Sequence, residues 1–208
     1  MYGRYSANSP REVNSLHIDY SQFINPVGQL VEIGQHGEII HRFCSGFNFS
    51  DAGHFLSAGH CLSTNSNQQQ TCYVYDTDII DLNRTKVSFN FQCLPSADSR
   101  ICNVSFEPTY KITRIDGHGF CLYDINQRQL DYAIFHLEPA ASQYGYLPLS
   151  KNDPVLNDNV MVIHHPLGLP KKYSTGNIHR VYADGSIDHT AHTYGGSSGG
   201  SRCFVKSG

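Results

Sequence analysis

The chain has 208 residues and a formal net charge of −3 at pH 7 with its 12 histidines neutral. Hydrophobic residues make up 39% and charged residues 16%, which fits a globular protein of one compact domain or two small ones and argues against disorder along the whole chain. This charge gives no reason to expect nucleic acid or an anionic membrane as a partner, and no apolar run approaches the roughly 20 residues that span a bilayer.

Short runs rich in β-branched and aromatic residues recur along the chain. Gly, Pro, Asn and Asp separate them, a spacing that predicts an all-β sandwich or barrel without a long helix. In chain order the runs are QLVEIG (29–34), IIHRFCSGF (39–47), HFLSAG (54–59), TCYVYDTDII (71–80), KVSFNFQCL (86–94), YKITRI (110–115), DYAIFHL (131–137), VMVIHHP (160–166), NIHRVYA (177–183) and SRCFV (201–205). The segment EPAASQYGYLPL (138–149) interrupts the pattern with two prolines and a glycine, and we expect it to link two halves.

The cysteine content indicates an oxidising compartment. Seven cysteines occur without a CxxC pair of the kind that binds zinc or does redox work, so disulfides are favoured and one thiol lacks an internal partner. Local loop closure favours Cys72 with Cys93 and Cys102 with Cys121, but spacing leaves other pairings open. Glycosylation sequons, which are consistent with secretion, begin at Asn48, Asn83 and Asn103.

A glycine- and serine-rich run near the end, HTAHTYGGSSGGSRCF (189–204), has two interpretations. Such runs are commonly flexible linkers. Alternatively, the glycines form a tight turn that presents the Ser198 hydroxyl as a nucleophile. The backbone N–H groups of Gly196 and Ser198 would then form an oxyanion hole.

Two further segments favour the nucleophile. In CSGFNFSDAGHFLSAGHC (44–61) a strand-like stretch leads to His60, and in LDYAIFHLE (130–138) Asp131 heads an alternating apolar strand. Each residue alone is more often a polar surface group. Together they supply, in order, the imidazole, carboxylate and hydroxyl that acyl transfer by a serine needs.

These segments resemble the chymotrypsin-like serine peptidases. FLSAGHC is similar to that family's His-Cys motif, DYAIFHL to its Asp strand and GSSGGS to its nucleophile loop, while VIHHPLGLPKKYSTG (162–176) is similar to a stretch of the bacterial glutamyl- and lysyl-endopeptidase branches. The resemblance implies that His60 is the general base, Asp131 its orienting carboxylate and Ser198 the nucleophile. It also implies a disulfide between Cys44 and Cys61.

The resemblance further implies two antiparallel β-barrels with the active site in the cleft between them. We expect an N-terminal extension (1–19), a first barrel (20–138) carrying His60 and Asp131, and a second barrel (139–208) carrying Ser198. Family members continue past the nucleophile with strands that include a wall of the substrate pocket. The sequence stops ten residues after Ser198, so we expect an incomplete second barrel.

Several positions depart from the family pattern. Ser197 replaces the aspartate that pairs with a newly cleaved N-terminal amine in animal trypsins, so activation by that ion pair should be absent. Gly59 replaces a commoner alanine, and Ser201 a usual proline. In the substrate pocket, Thr193 matches a residue that contacts the substrate carboxylate in glutamyl endopeptidases, and His192 occupies the pocket floor.

The leading hypothesis is a secreted, monomeric serine endopeptidase that cleaves protein or peptide substrates through an acyl-enzyme, without a cofactor or metal. The adjacent His164 and His165 should point to opposite faces of a strand and so have structural roles rather than share zinc. The alternative is a catalytically silent relative that serves as a protein-binding module. A sugar- or lipid-binding β-sandwich does not explain the ordered His and Asp segments.

Overall fold

The computed structural model describes residues 9–13, 20–62, 79–93, 107–121 and 130–204. Strands dominate these ranges, which confirms the predicted all-β class; the predicted run 71–80 lies almost entirely outside them. The elements are β1 (Arg11–Glu12), α1 (Ser21–Ile24), β2 (Val27–Ile33), β3 (Ile39–Asn48), β4 (His54–Ser57), β5 (Thr85–Ser88), β6 (Thr109–Cys121), β7 (Leu130–Leu137), β8 (Asn159–His164), β9 (Lys172–Val181), β10 (Ile187–His189) and β11 (Ser201–Phe204). Short 3₁₀ turns cover Gly59–Cys61, Pro139–Tyr144 and Pro166–Gly168.

Six strands of the first half close into an antiparallel barrel in the order β2-β3-β4-β7-β6-β5. Its interior is filled by aromatic and branched side chains, among them Phe55, Phe89 and Phe135, which are fully buried. Burial of one such side chain stabilises the fold by about 2–3 kcal/mol. The period-2 pattern of the sequence places these residues inside, because alternate strand residues face opposite sides of a sheet.

The pairing of β4 with β7 brings the His and Asp segments together. Ser57 near the end of β4 lies opposite Ala133 near the start of β7. Because the two strands are antiparallel, the turn that follows β4 and the residues that open β7 meet at the same end of the barrel. The strand order therefore juxtaposes His60 and Asp131, although 71 positions separate them.

The second half forms a sheet of order β1-β9-β8-β11, with β10 also paired to β9. This sheet is open among the described residues, so a second barrel, which we expect to be incomplete, stays a prediction. Its first strand comes from the predicted N-terminal extension, since Arg11 pairs with Tyr173 of β9. A second hydrophobic cluster packs this sheet against the start of the barrel and includes Val13, Ile24, Val27, Leu147, Met161, Ile163 and Tyr173.

The predicted linker is fastened to the barrel. The side-chain amide of Asn48 donates hydrogen bonds to the carbonyls of Ala141 (3.1 Å) and Gly145 (3.2 Å), and the Leu147 amide donates to the Asn48 carbonyl at 2.8 Å. Asn48 is completely buried. The side-chain amide of the Asn48 sequon is therefore engaged in hydrogen bonds inside the protein. Asn83, in contrast, is exposed, and Asn103 lies outside the described residues.

The Cys44–Cys61 disulfide is present and joins β3 to the 3₁₀ turn that holds His60. Cys93 is also disulfide-bonded. Loop closure favours Cys72 with Cys93 and Cys102 with Cys121. Cys72 and Cys102 lie outside the described residues, so both pairings stay predictions. Among the residues described, no helix has the length and apolar character needed to cross a membrane.

Candidate active site

His60 and Asp131 form a hydrogen-bonded pair at the end of the barrel. Nδ1 of His60 lies 2.9 Å from Oδ2 and 3.2 Å from Oδ1 of Asp131, and the His60 backbone N–H donates to Oδ1 at 2.9 Å. Since an ionised carboxylate only accepts hydrogen bonds, Nδ1 carries the proton and Nε2 is left unprotonated.

The pair shifts the pKa of both partners. The hydrogen bond to Asp131 raises the pKa of His60 above its usual 6.5, against the lowering that burial causes. Burial alone would raise the pKa of Asp131, but hydrogen bonds from the side chain and backbone of His60 lower it below its usual range. At neutral pH the acid is therefore charged and keeps the imidazole oriented.

Gly59 allows this pair to form. A Cβ atom at position 59 would lie 2.1 Å from the carbonyl oxygen of Gly119 and 2.9 Å from that of Tyr132. Both atoms belong to the backbone of β6 and β7 and cannot swing aside. The departure from the commoner alanine thus has a steric reason, which the sequence alone does not reveal.

The turn that carries Ser198 is anchored to the barrel by Ser45 of β3. The Ser45 backbone N–H donates to the Ser198 carbonyl at 2.8 Å, and its hydroxyl donates to the Gly196 carbonyl at 2.7 Å. The His165 N–H donates in turn to that hydroxyl at 2.9 Å. Ser45 therefore ties the second sheet to the first barrel, and no motif of the sequence pointed to it.

Glycines shape the turn itself. Gly196 (φ 84°) and Gly199 (φ 79°) adopt left-handed conformations, and a Cβ at Gly199 would lie 2.3 Å from the Ser45 carbonyl oxygen. Within the described part of the chain, neither the Gly196 nor the Ser198 backbone N–H donates a hydrogen bond, whereas the Ser197 N–H donates to the Tyr194 carbonyl at 3.0 Å. The role of the Gly196 and Ser198 amides as an oxyanion hole stays a prediction.

Ser197 is buried and belongs to a chain of hydrogen bonds beneath the turn. Its hydroxyl accepts from the Tyr194 N–H at 3.1 Å and lies 2.6 Å from Nδ1 of His164. Nε2 of His164 lies 3.3 Å from the hydroxyl of Ser174, which donates its single proton to the His192 carbonyl at 2.8 Å.

These contacts determine the tautomer of His164. The Ser174 hydroxyl donates its one proton to the His192 carbonyl, so it can only accept a hydrogen bond from His164. Nε2 of His164 therefore carries a proton and donates it to that hydroxyl. Nδ1 is then unprotonated and accepts from Ser197. Burial, with the positive charge of Lys172 and the nearby His189, lowers the pKa of His164 to about 4, so the ring is neutral at pH 7. A neutral hydrogen bond thus occupies the place where the trypsin pattern has an aspartate.

The neighbouring His165 has different partners. It is fully buried, its Nδ1 donates to the Leu169 carbonyl at 3.1 Å, and its ring stacks on Phe91. The two adjacent imidazoles therefore contact separate surroundings, as the alternation of strand residues predicts.

A cavity of about 410 Å³ joins the predicted residues. His60, Asp131, Ser198 and the predicted pocket residue Thr193 line it, whereas His192 lines a neighbouring surface pocket together with Thr193. The described contacts include no hydrogen bond between the His60 ring and Ser198; in substrate-free sites such a bond is often long and shortens when substrate binds. His189 and Arg202 also line the cavity, and no motif of the sequence points to them.

The chain is similar in sequence to a known effector protein over part of that protein's length. A 168-residue stretch is 26% identical to secreted RxLR effector protein 73 of Plasmopara viticola and covers 76% of this chain and 37% of that protein. The chain thus spans well under half the length of that relative.

Solved structures share the fold at low identity. A serine endoprotease from Yersinia pestis matches with a TM-score of 0.56 and 16% identity over 91% of this chain and 55% of its own. Human heparin binding protein matches with a TM-score of 0.59 and 12% identity over 94% of this chain and 79% of its own. A thermostable serine protease, AL20, from an extremophilic microorganism matches with a TM-score of 0.53 and 15% identity over 89% of this chain and 81% of its own.

The sequence profile of the trypsin-like peptidase domain matches residues 44–203. This range begins at Cys44, which forms a disulfide with Cys61, the residue after His60. It runs through most of the barrel, the strand of Asp131 and the turn of Ser198. The protein therefore belongs to the trypsin-like peptidase domain family.

Proposed function

We propose that the protein is a secreted serine endopeptidase that hydrolyses peptide bonds through an acyl-enzyme. The observation that carries this proposal is the His60–Asp131 hydrogen bond of 2.9 Å at a cavity that Ser198 also lines. Secretion is supported by the Cys44–Cys61 disulfide and by the likeness to a secreted effector.

In the proposed mechanism, Nε2 of His60 takes the proton of the Ser198 hydroxyl as its oxygen attacks the substrate carbonyl. The negative charge that develops on the carbonyl oxygen is stabilised by the N–H groups of Gly196 and Ser198. The imidazolium then protonates the leaving amine, and the acyl group remains on Ser198. Water, deprotonated by the same imidazole, releases the acid and restores the hydroxyl.

We propose a preference for an acidic side chain on the acyl side of the scissile bond, as in the glutamyl-endopeptidase branch. Thr193, His189 and Arg202 line the cavity. Burial, followed by the positive charge of Arg202, lowers the pKa of His189, so Arg202 supplies the cationic charge at neutral pH.

Peptides ending in Glu-aminocoumarin should be cleaved faster than matched Lys or Leu peptides, and Arg202→Gln should reduce that difference. Equal rates for the three would contradict the preference.

The proposed reaction is tested by labelling with a fluorophosphonate probe, which forms a covalent adduct with an activated serine. We expect one adduct, mapped to Ser198 by peptide mass spectrometry. The Ser198→Ala variant should form none and should lose casein hydrolysis on the order of 10⁶-fold. Ser150→Ala, at an exposed serine, is the matched control and should behave as the parent. An unlabelled parent, or casein hydrolysis that persists in Ser198→Ala, would refute the assignment.

A second candidate is a catalytically silent relative that binds a protein partner. The likeness to an effector protein favours it. The same probe separates the two, because a silent relative with its Cys44–Cys61 disulfide intact and a cooperative unfolding transition would not form the Ser198 adduct.

A further inference from the structure

Two histidines and an aspartate meet on the outside of the barrel, away from the cavity of the candidate active site. His54 opens β4 and is paired directly with His136 of β7. Asp116 of β6 joins them, and the potential ligand atoms of all three lie within 4.8 Å of one another. No step of the proposed reaction uses these side chains.

A β-bulge aims Asp116 at the two rings. Ile115 of β6 pairs with Phe135 and Gly117 pairs with Ile134, so Asp116 is the extra residue between two consecutive pairings. Bulges of this kind redirect a side chain that would otherwise follow the regular alternation. The bulge brings the carboxylate beside two histidines that already share one face of the sheet.

We propose that His54, Asp116 and His136 bind a divalent zinc ion. Oδ2 of Asp116 lies 3.5 Å from Nε2 of His54 and 3.8 Å from Nδ1 of His136. Tetrahedral zinc with bonds of 2.0–2.1 Å places its ligand atoms about 3.3 Å apart. Both distances from Asp116 are too long for good hydrogen bonds and need to close by about half an ångström or less to fit the ion. The nitrogens of the two histidines lie within 4.8 Å of each other, so they would have to approach by at most about 1.5 Å.

The surrounding contacts leave the three ligand atoms free to face the ion. Nδ1 of His54 lies 2.7 Å from the Ser50 hydroxyl, which can accept its proton and so leave Nε2 unprotonated. Nε of Arg114 donates to Oδ1 of Asp116 at 2.5 Å, and Oδ2 faces the histidines. Partners of this type orient metal-binding side chains. Nδ1 of His136 is buried without a hydrogen-bond partner among the described residues.

The donor set favours zinc over calcium or magnesium. Two imidazole nitrogens and one carboxylate oxygen suit Zn²⁺, whereas Ca²⁺ and Mg²⁺ prefer oxygen ligands. The side chains are partly open to solvent, with exposures of 30% for His54, 24% for His136 and 23% for Asp116, so water can complete the coordination.

The consequence is a metal that fastens three strands at the end of the barrel remote from the active site. Asp131 and His136 lie five positions apart on β7, or roughly 17 Å along the strand. The ion should therefore stabilise the strands that lead to His60 and Asp131 without contacting substrate. This inference does not depend on the proposed function.

The test is a zinc titration of the intact chain by isothermal calorimetry, after chelator treatment and alkylation of free thiols. We expect one equivalent to bind and the thermal midpoint to rise. His136→Ala and Asp116→Asn should each weaken binding at least tenfold, and Ser50→Ala about tenfold. His179→Ala, at an exposed histidine on β9, is the control and should bind as the parent does.

Cobalt supplies a second readout. Co²⁺ at this site should give the visible absorption of a tetrahedral nitrogen–oxygen complex without an intense thiolate charge-transfer band, and His136→Ala should abolish it. Where His136→Ala lowers the metal-free unfolding midpoint, His54→Asn replaces it. The proposal is overturned if the parent binds no equivalent of zinc, if the variants bind as tightly as the parent, or if the cobalt spectrum shows thiolate ligation.

Discussion

Nδ1 of His164 lies 2.6 Å from the hydroxyl of Ser197, the residue directly before Ser198. Both side chains are buried, and the hydrogen bonds on either side of them run from the Tyr194 amide to the His192 carbonyl. The turn that presents Ser198 is thus held from below by neutral groups.

The His164–Ser197 contact predicts different effects for two substitutions of similar size. An asparagine amide reaches the place of Nδ1 and can still accept from Ser197, whereas a glutamine amide reaches the place of Nε2 and cannot. We expect His164→Gln to slow fluorophosphonate labelling of Ser198 by about 100-fold, because small misplacements of reacting groups are costly, and His164→Asn to slow it far less. Equal labelling rates in the two variants would rule out positioning through Ser197.

The pKa of His60 predicts the acid limb of the activity. Because the hydrogen bond to Asp131 raises this pKa above 6.5, the imidazolium, which cannot accept the Ser198 proton, persists to higher pH. The value of kcat/KM should therefore fall as the pH drops through an apparent pKa above 6.5. NMR titration of the His60 ring in Ser198→Ala should give a similar value, and Asp131→Asn should lower it. A ring that titrates below 6.5 in the Ser198→Ala protein would contradict this expectation.

The same shift links stability to pH. A histidine whose folded pKa is raised contributes stability that is fully present below its unfolded pKa of about 6.5 and is lost as the pH rises through the folded value. The difference in unfolding free energy between the parent and Asp131→Asn, measured in urea, should therefore be larger at pH 5.5 than at pH 9. A difference that grows with pH between these values would contradict the linkage.

The close approach at Gly59 predicts that alanine is not tolerated there. Its Cβ would lie 2.1 Å from the Gly119 carbonyl oxygen, so the turn must move. We expect Gly59→Ala to destabilise the fold by about 1–3 kcal/mol in urea unfolding and to displace His60 from Asp131. Gly117→Ala on β6, where the nearest atom is 4.0 Å away, is the control and should be nearly neutral. Similar losses in both variants would mean that the contact with Gly119 is not the cause.

Asn48 and Asn83 should differ in glycosylation when the protein is secreted from a eukaryotic host. Asn83 is exposed, whereas the Asn48 amide is fully buried and bonded to the Ala141 and Gly145 carbonyls. A glycan at Asn48 would displace the segment that leads to the second sheet. Mass spectrometry of the folded, secreted fraction should find a glycan at Asn83 and none at Asn48. An occupied Asn48 in that fraction would show that this packing is wrong.

Much of the fold could be predicted from local pattern. The alternation in HFLS and DYAIFHL assigns β4 and β7, because a strand buried on one face repeats every two residues. The His-Cys motif and the strand whose second residue is Asp131 likewise identify residues that the structure brings to one cavity. The segment 138–149 has turn residues, yet its packing on Asn48 could not be predicted, because both sides of that contact are polar.

The sequence by itself determined the all-β class, the strands of the barrel and the segments that carry His60, Asp131 and Ser198. Each strand or segment is recognised by a pattern among neighbouring residues, so no long-range contact is needed to find it. Only the tertiary structure decided the anchoring of the Ser198 turn by Ser45, the support of Ser197 by His164 and the meeting of His54, Asp116 and His136. Ser45 and Gly196, for example, are separated by 151 positions. Such contacts depend on strand order, register and a bulge, and these are set by the packing of the whole chain rather than by any local pattern.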